Sequence, residues 1–249
     1  MKRTMKAIIL AAGVGRRLSK VIHKPKSLLT FNGRSLMQRH LDNLAALGVT
    51  EVALCVGFEH EKILDQLVCP EGVSLCHRFN PDYREGSMIS LWTMREDFDG
   101  NQDTLLMDAD VLYERSILAT LVNSPHSDLM LIDQDFEPGD EPVKICLLNQ
   151  RVVEFRKQLP PDLSYDEIGE SVGFFRFSPE MGQALIKSAQ VYLDNGLREA
   201  PCEEAIRDVV LANQEQFEAA NVSGRRWIEI DFPEDIARAE QEILPAVDR

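Results

Sequence analysis

The first half of the chain alternates short apolar runs with longer amphipathic segments. Residues 7–10 are all apolar, whereas residues 35–47 carry apolar side chains three and four positions apart, as on one face of a helix. The alternation continues and predicts further strands and helices at residues 51–56, 59–68, 73–79, 87–98 and 104–107. This rhythm predicts an α/β fold with a mostly parallel, Rossmann-like central sheet and helices on both faces.

The pattern changes beyond about residue 128. Apolar runs at residues 129–133, 143–148, 152–155 and 171–177 predict strands without long helices between them, and Asn149-Gln150 is typical of a hairpin turn. Helical periodicity then marks residues 179–195 and 202–213, before a strand at 227–230 and a last helix at 233–243. We therefore expect one domain over residues 1–249, with a smaller β-rich insertion in its second half.

A small, glycine-containing loop follows the first predicted strand. It reads Leu10-Ala11-Ala12-Gly13-Val14-Gly15-Arg16-Arg17-Leu18, and Lys24-Pro25-Lys26 comes shortly after it. Such a loop exposes backbone N–H groups that can approach a phosphate closely, and Arg17 and Lys26 add positive charge. We therefore predict that the chain binds a nucleoside triphosphate. A plain tight turn is the alternative; a dinucleotide-binding loop would need a glycine at Leu18.

Two acidic residues end the fourth predicted strand, in the sequence Asp108-Ala109-Asp110. Ligands of open α/β sheets gather at the carboxyl ends of the strands, and carboxylate and phosphate oxygens together suit Mg²⁺. The segment is thus a candidate magnesium site. The alternative is that these acids cap the following helix.

Composition narrows the choice of partners. The net charge of −14 argues against a nucleic-acid partner, because phosphate backbones attract basic surfaces. Five cysteines without a CxxC pair indicate reduced thiols, and no apolar stretch approaches the ~20 residues that span a bilayer. These features predict a cytoplasmic protein that does not enter a membrane.

The segment 10–18 together with Pro25-Lys26 resembles the signature of sugar-phosphate nucleotidyltransferases and their cytidylyltransferase relatives. The resemblance implies a nucleotide-diphospho-sugar transferase fold, with residues 1–127 forming the nucleotide half and 128–249 the acceptor and metal half. It implies that Arg17 and Lys26 are the catalytic cations. The nucleotide-binding residues that it implies are Leu10, Ala11, Ala12, Gly13, Gly15, Arg16 and Ser87. Arg16 departs from the family, which commonly has Ser or Thr there.

The end of the chain resembles the family's closing run W-x-D-I-D-x-P-E-D. Here it reads from Trp227 to Asp235, with Glu229 in place of the earlier Asp. The resemblance implies that Asp231 completes the metal site with Asp110, and that Asp108 assists. Asp231 is alternatively the N-cap of a helix that begins at Pro233.

Further motifs extend the resemblance over nearly the whole chain. Asn80-Pro81-Asp82-Tyr83 and the serines after it are similar to phosphocholine-type cytidylyltransferases. The residues expected to bind the acceptor are Lys144, Lys157, Glu170, Glu203 and Glu204. The two lysines could equally be solvated strand-edge residues. Cys202 stands where these relatives carry an aromatic residue, which weakens the case for phosphocholine because aromatic rings favour quaternary ammonium groups.

Together these features predict a Mg²⁺-dependent nucleotidyltransferase. The expected reaction joins CMP from CTP to a small phosphate or phosphonate acceptor and releases pyrophosphate. Three alternatives stay open: a nucleotide-sugar synthase acting on a sugar 1-phosphate, a metal-dependent glycosyltransferase, and a ligand-sensing relative without turnover. The sequence does not decide whether the chain forms a homodimer.

Overall fold

The computed structural model of the chain describes residues 5–18 and 22–248. Its helices are α1 (Leu36–Ala46), α2 (His60–Gln66), α3 (Ser87–Thr93), α4 (Arg115–Asn123), α5 (Pro179–Asp194), α6 (Cys202–Ala212), α7 (Pro233–Arg238) and α8 (Leu244–Val247). The strands are β1 (Met5–Ala11), β2 (Thr30–Phe31), β3 (Arg34–Ser35), β4 (Glu51–Val56), β5 (Ser74–Phe79), β6 (Asp103–Asp108), β7 (Val111–Tyr113), β8 (Leu129–Asp133), β9 (Lys144–Leu148), β10 (Arg151–Arg156), β11 (Glu167–Phe177), β12 (Glu218–Asn221) and β13 (Trp227–Glu229).

The central sheet is parallel around β1. Within the described residues the strand order is β10-β9-β11-β6-β1-β4-β5, and β8 joins β11 to β12. β1 lies between β4 and β6, and Leu10 is in register with Cys55 on one side and Asp108 on the other. The loops after these three strands therefore leave the sheet at the same edge, which is where the candidate site forms. The predicted α/β class with a mostly parallel centre is confirmed.

Both faces of the sheet are covered by helices. Ala7 and Ile9 of β1 pack with apolar residues of α1 and α4, whereas Ile8 packs on the opposite face with residues of α3, α5 and α6. Successive side chains of a strand point to opposite faces, so the apolar run of β1 contributes to two cores at once. Full burial of one such side chain contributes about 1.5–3 kcal/mol.

The second half adds antiparallel strands to one side of this sheet. β9 and β10 form the predicted hairpin, with Asn149 and Gln150 at φ 52° and 65°, the left-handed values of a two-residue turn. The long strand β11 pairs with β9 through its first residues and with β6 through its last. It thus ties the antiparallel insertion to the parallel centre, next to Asp108.

Some elements differ from those that the sequence predicts. The periodicity of the sequence does not reveal β2, β3, β7 or β12, which are two to four residues long and too short to show a period. The predicted helix 87–98 ends at Thr93 and continues as a 3₁₀ turn at Arg95–Asp97. The predicted helix 233–243 is helical to Arg238 and continues as a π-turn at Ala239–Ile243. In residues 5–18 and 22–248, no helix combines the length and apolarity that crossing a membrane requires.

Candidate active site

A cavity of about 300 Å³ opens at the carboxyl edge of the parallel strands. The loop after β1, the segment before α3 and the ends of β6 and β13 surround it. All of the residues predicted to bind the nucleotide line it: Leu10, Ala11, Ala12, Gly13, Gly15, Arg16 and Ser87. The structure therefore gathers this predicted group at one surface, although their contacts with a nucleotide stay a prediction.

The loop after β1 packs against residues 57 and 58 on the side away from this cavity, so its other side is open towards the cavity. The carbonyl oxygen of Ala12 accepts a hydrogen bond of 3.0 Å from the N–H of Phe58. A Cβ at Gly57 would lie 2.7 Å from that same oxygen, so the chain approaches closely there. A Cβ at Gly13, in contrast, would meet no atom within 4 Å. Gly13 thus leaves space on the side where a ligand would lie.

Lys26 links two carboxylates that are far apart in the sequence. Its Nζ donates to Asp110 Oδ2 at 2.8 Å and to Asp231 Oδ1 at 2.5 Å. Burial lowers the pKa of Lys26, but the charges of Asp110 and Asp231 outweigh that effect and raise it. Lys26 therefore stays protonated and holds the ends of β6 and β13 together.

Arg17 reaches the same group from the loop after β1. Its Nη1 donates to Asp231 Oδ2 at 2.9 Å, its Nη2 donates to Glu141 Oε2 at 2.7 Å, and its guanidinium lies 4.8 Å from the ring centre of Phe232. The structure thus brings Arg17, Lys26 and both aspartates into one ion-pair network. Their catalytic and metal-binding roles stay predictions.

Asp231 is not the N-cap of the helix after it, because that position is taken by Phe232. The Asp235 carboxylate accepts hydrogen bonds from the N–H groups of Asp231 and Phe232, at 2.9 and 2.7 Å. Asp231 therefore directs its own carboxylate at Lys26 and Arg17 instead of capping α7. Likewise α4 begins at Arg115, beyond both Asp108 and Asp110.

Three carboxylates form a group that could hold a divalent cation. One oxygen each from Asp110, Glu229 and Asp231 lies within 4.8 Å of the others. The pairing of β13 with β7 brings them together, and the N–H of Ile230 donates to the Asp110 carbonyl at 2.9 Å. Oxygen ligands of this kind suit Mg²⁺, and the Lys26 ammonium shows that the group accepts positive charge. The donor set therefore fits the predicted magnesium ion.

The sequence-based ligand set differs from this group in two residues. Asp108 lies outside it, with its carboxylate packed against Gly173, where a Cβ would collide with the Asp108 carboxylate. Burial, reinforced by the charges of Asp110 and Glu203, raises the pKa of Asp108 well above its usual value. Glu229 belongs to the group, although the sequence analysis did not predict it as a metal ligand. The signal was its position in the closing run Trp227 to Asp235, where it stands in place of the family's earlier Asp, two residues before Asp231.

A smaller cavity of about 60 Å³ adjoins the first and shares Asp108, Glu203 and Glu229 with it. Phe155 and Phe175 form an apolar wall, and their ring centres are 5.7 Å apart. Three of the predicted acceptor-binding residues line it: Lys157, Glu170 and Glu203. Glu141, which the sequence analysis missed, lines it as well.

The other predicted acceptor residues lie further out. Lys144 Nζ donates to the carbonyl oxygens of Lys157 and Pro142, at 2.7 and 3.4 Å, and so is occupied by the backbone of two loops. Glu204 accepts from Arg156 Nη2 at 2.8 Å and lines a third cavity of about 280 Å³. The structure therefore does not bring all five predicted acceptor residues to one point.

Glu170 and Glu203 are carboxylates without an ion-pair partner in the part of the chain that the structure describes. Among the described residues, no lysine or arginine forms an ion pair with either of them; Glu203 contacts Ser87 Oγ at 3.5 Å and the Cys202 thiol at 3.4 Å. Burial, followed by the charge of Asp133, raises the pKa of Glu170 to about 7, and Lys144 and Lys157 oppose the rise. The small cavity thus places two carboxyl groups that have no ion-pair partner among the described residues beside its apolar wall.

Comparison with known proteins identifies the family. A model of the MobA-like NTP transferase domain matches residues 7–168. The chain belongs to this family. It is a nucleotidyltransferase, and the family uses a nucleoside triphosphate and a phosphorylated acceptor.

Relatives with assigned reactions are similar over almost the whole chain. A CTP:phosphoglutamine cytidylyltransferase from Campylobacter jejuni is 23% identical over 93% of this chain and 98% of its own length. A CMP-5'-(3-aminopropyl)phosphonate synthase from Streptomyces rubellomurinus is 25% identical over 97% of this chain but only 39% of its own length. Among solved structures, the inositol-1-phosphate CTP transferase from T. maritima matches with a TM-score of 0.76. That structure is 21% identical, and the match covers 99% of this chain and 97% of its own length. The structural similarity supports the fold.

Proposed function

We propose that this nucleotidyltransferase is a Mg²⁺-dependent cytidylyltransferase. It would join CMP from CTP to a small phosphate or phosphonate acceptor and release pyrophosphate. The observation that carries the proposal is the contact of Arg17 and Lys26 with Asp110 and Asp231 beside the large cavity. The names of two relatives, one acting with CTP and one forming a CMP-phosphonate, support the base and the acceptor class.

In the proposed reaction an acceptor oxygen forms a bond to the α-phosphorus of CTP, and the bond from that phosphorus to the bridging oxygen of pyrophosphate breaks. Phosphates and phosphonates are already ionised near neutral pH, so the step needs no strong general base. Lys26 and Arg17 offset the negative charge of the triphosphate and of the departing pyrophosphate. Asp110 and Asp231, with Glu229 beside them, would hold Mg²⁺, which supplies charge stabilisation at the α-phosphate.

The small cavity supports an acceptor with a second polar group. Glu170 and Glu203 line it without a cationic partner among the described residues, and Lys157 is its lysine. An ammonium group or several hydroxyl groups on the acceptor would satisfy these carboxylates. A phosphonate or phosphate ester with an amine at its far end fits both the lysine and the two glutamates.

The test is a matrix of nucleotides and acceptors, read by pyrophosphate release with and without a magnesium chelator. CTP, UTP, ATP and GTP are each combined with phosphocholine, phosphoethanolamine, aminoethylphosphonate, hydroxyethylphosphonate and sugar 1-phosphates. We expect turnover with CTP, with a phosphate or phosphonate acceptor, and only when Mg²⁺ is present. Turnover confined to sugar 1-phosphates, or turnover that survives complete chelation, would contradict the proposal.

A further inference from the structure

The carboxylate of Glu141 lies between Arg17, a cation of the ion-pair network, and Lys157, a cation of the small cavity. A single oxygen, Oε2, accepts from Arg17 Nη2 at 2.7 Å and from Lys157 Nζ at 3.4 Å. Arg17 directly follows residues 10–16, which line the large cavity, whereas Lys157 lines the small one. The position where nucleotide and acceptor would meet is therefore bridged by one anionic oxygen of the protein itself.

Glu141 is held there from a surface loop and not from a rigid element. The loop joins β8 to β9, and Asp140, its neighbour, accepts from Gln158 Nε2 at 3.3 Å. The side chains of Arg17, Lys157 and Glu141 are 42, 45 and 53% exposed. Exposed ion pairs contribute little to stability, so an anionic ligand can displace this carboxylate at small cost.

The two cations suit an oxyanion. Arginine and lysine bind phosphate and carboxylate oxygens by the same charge-assisted hydrogen bonds. The two nitrogens of the Arg17 fork face different partners: Nη1 donates to Asp231, and Nη2 donates to Glu141. Loss of Glu141 from this position would therefore free one nitrogen of Arg17 and the ammonium of Lys157 without breaking the contact to Asp231.

We propose that Lys157 and the Nη2 nitrogen of Arg17 together bind the anionic phosphate or phosphonate group of the acceptor, next to the triphosphate whose charge Arg17 also offsets, and that the Glu141 carboxylate occupies this site until the acceptor displaces it. The inference rests on the proposed function and deepens it, because it assigns the anionic group of the acceptor to a defined pair of cations. Glu141 is then an internal competitor of the acceptor. It weakens acceptor binding, and it keeps the two cations paired when no acceptor is bound.

The experiment measures direct binding of methylphosphonate, without nucleotide, by isothermal titration calorimetry. We compare the wild type with Glu141→Gln, with Asp140→Asn and with the double variant Glu141→Gln/Lys157→Gln. Asp140→Asn is the matched control, because it removes one negative charge from the same loop at a residue whose hydrogen-bond partner is Gln158. We expect Glu141→Gln to lower the Kd about 3- to 10-fold, Asp140→Asn to leave it nearly unchanged, and the added Lys157→Gln change to cancel the gain.

Three results would overturn the inference. They are an unchanged or raised Kd in Glu141→Gln, the same gain in Asp140→Asn, and no detectable binding of methylphosphonate to Glu141→Gln. The result is separable from that of the proposed function. An enzyme that releases pyrophosphate from CTP but binds methylphosphonate no better after Glu141→Gln refutes only this inference. Tighter methylphosphonate binding without turnover on any acceptor refutes only the proposed reaction.

Discussion

The two adjoining cavities are built from different parts of the chain. The large one, of about 300 Å³, is lined along one side by the contiguous loop 10–16, in which small residues leave backbone groups accessible. The small one, of about 60 Å³, is lined by charged and aromatic side chains from strands and loops far apart in sequence. A nucleotide held mainly by backbone groups leaves side chains little part in recognition, whereas an acceptor held by side chains depends on each of them. Substitutions in the two cavities should therefore have different consequences.

The largest effect is expected at the ion-pair network of Arg17, Lys26, Asp110 and Asp231 beside the large cavity. We expect Asp110→Ala and Lys26→Ala each to lower kcat/KM at least ~100-fold, the usual loss for one key electrostatic group in an active site. The measurement is pyrophosphate release under saturating Mg²⁺, with circular dichroism to confirm folding.

Lys62→Ala is the matched control for Lys26→Ala. Lys62 forms an exposed ion pair with Glu59 at 2.6 Å and does not line the cavities described above. It should retain wild-type turnover. Near-normal turnover in folded Asp110→Ala and Lys26→Ala would instead remove the network from the reaction altogether.

The difference between a contiguous loop and contacts between distant residues also explains which site residues the sequence could predict. The loop after β1 and the cation Lys26 stand close together in the chain, so local pattern and family resemblance identify them. Asp231 was found through the resemblance, and its contact with Arg17 spans 214 positions. Glu141 was missed because it lies in an irregular loop 124 positions from Arg17, where no periodicity marks it. Long-range ion pairs depend on how the sheet is assembled, which local pattern does not encode.

An intermediate effect is expected from a single methyl group in the large cavity. Gly13→Ala should leave the stability of the fold nearly unchanged, because a Cβ there would meet no protein atom within 4 Å. It should raise the KM for CTP at least about 10-fold, since the methyl group occupies the space that the nucleotide approaches and overpacking costs about 1–3 kcal/mol. Initial rates at varied CTP provide the measurement.

The acceptor provides the internal control for Gly13→Ala. The KM for the acceptor should stay within about 2-fold of the wild-type value, because Gly13 is not one of the residues that line the small cavity. Equal increases in both KM values would show that the two cavities do not recognise their ligands separately. A lowered melting temperature would show that Gly13 serves the fold instead.

The smallest effect concerns the buried Glu170 carboxyl group of the small cavity. The pKa of Glu170 is raised from the usual 4.5 to about 7, chiefly by burial. Between these two pH values the unfolded chain has already lost the proton that the folded chain still holds. The contribution of Glu170 to the free energy of unfolding therefore falls as the pH rises from about 4.5 to about 7, with a slope of at most about 1.4 kcal/mol per pH unit. Above pH 7 this contribution is fully lost.

Glu170→Gln removes the ionisable group and so should remove this part of the pH dependence. Urea unfolding of both proteins between about pH 5 and 8 should show the variant gaining stability relative to the wild type up to about pH 7 and no further gain above it. Glu170→Ala is the control, because it should show the same pH profile at a different absolute stability. A difference that stays constant with pH would mean that Glu170 is charged throughout. In that case burial in the small cavity would not disfavour the charged form of Glu170. The two cavities would then differ in shape but not in this electrostatic cost.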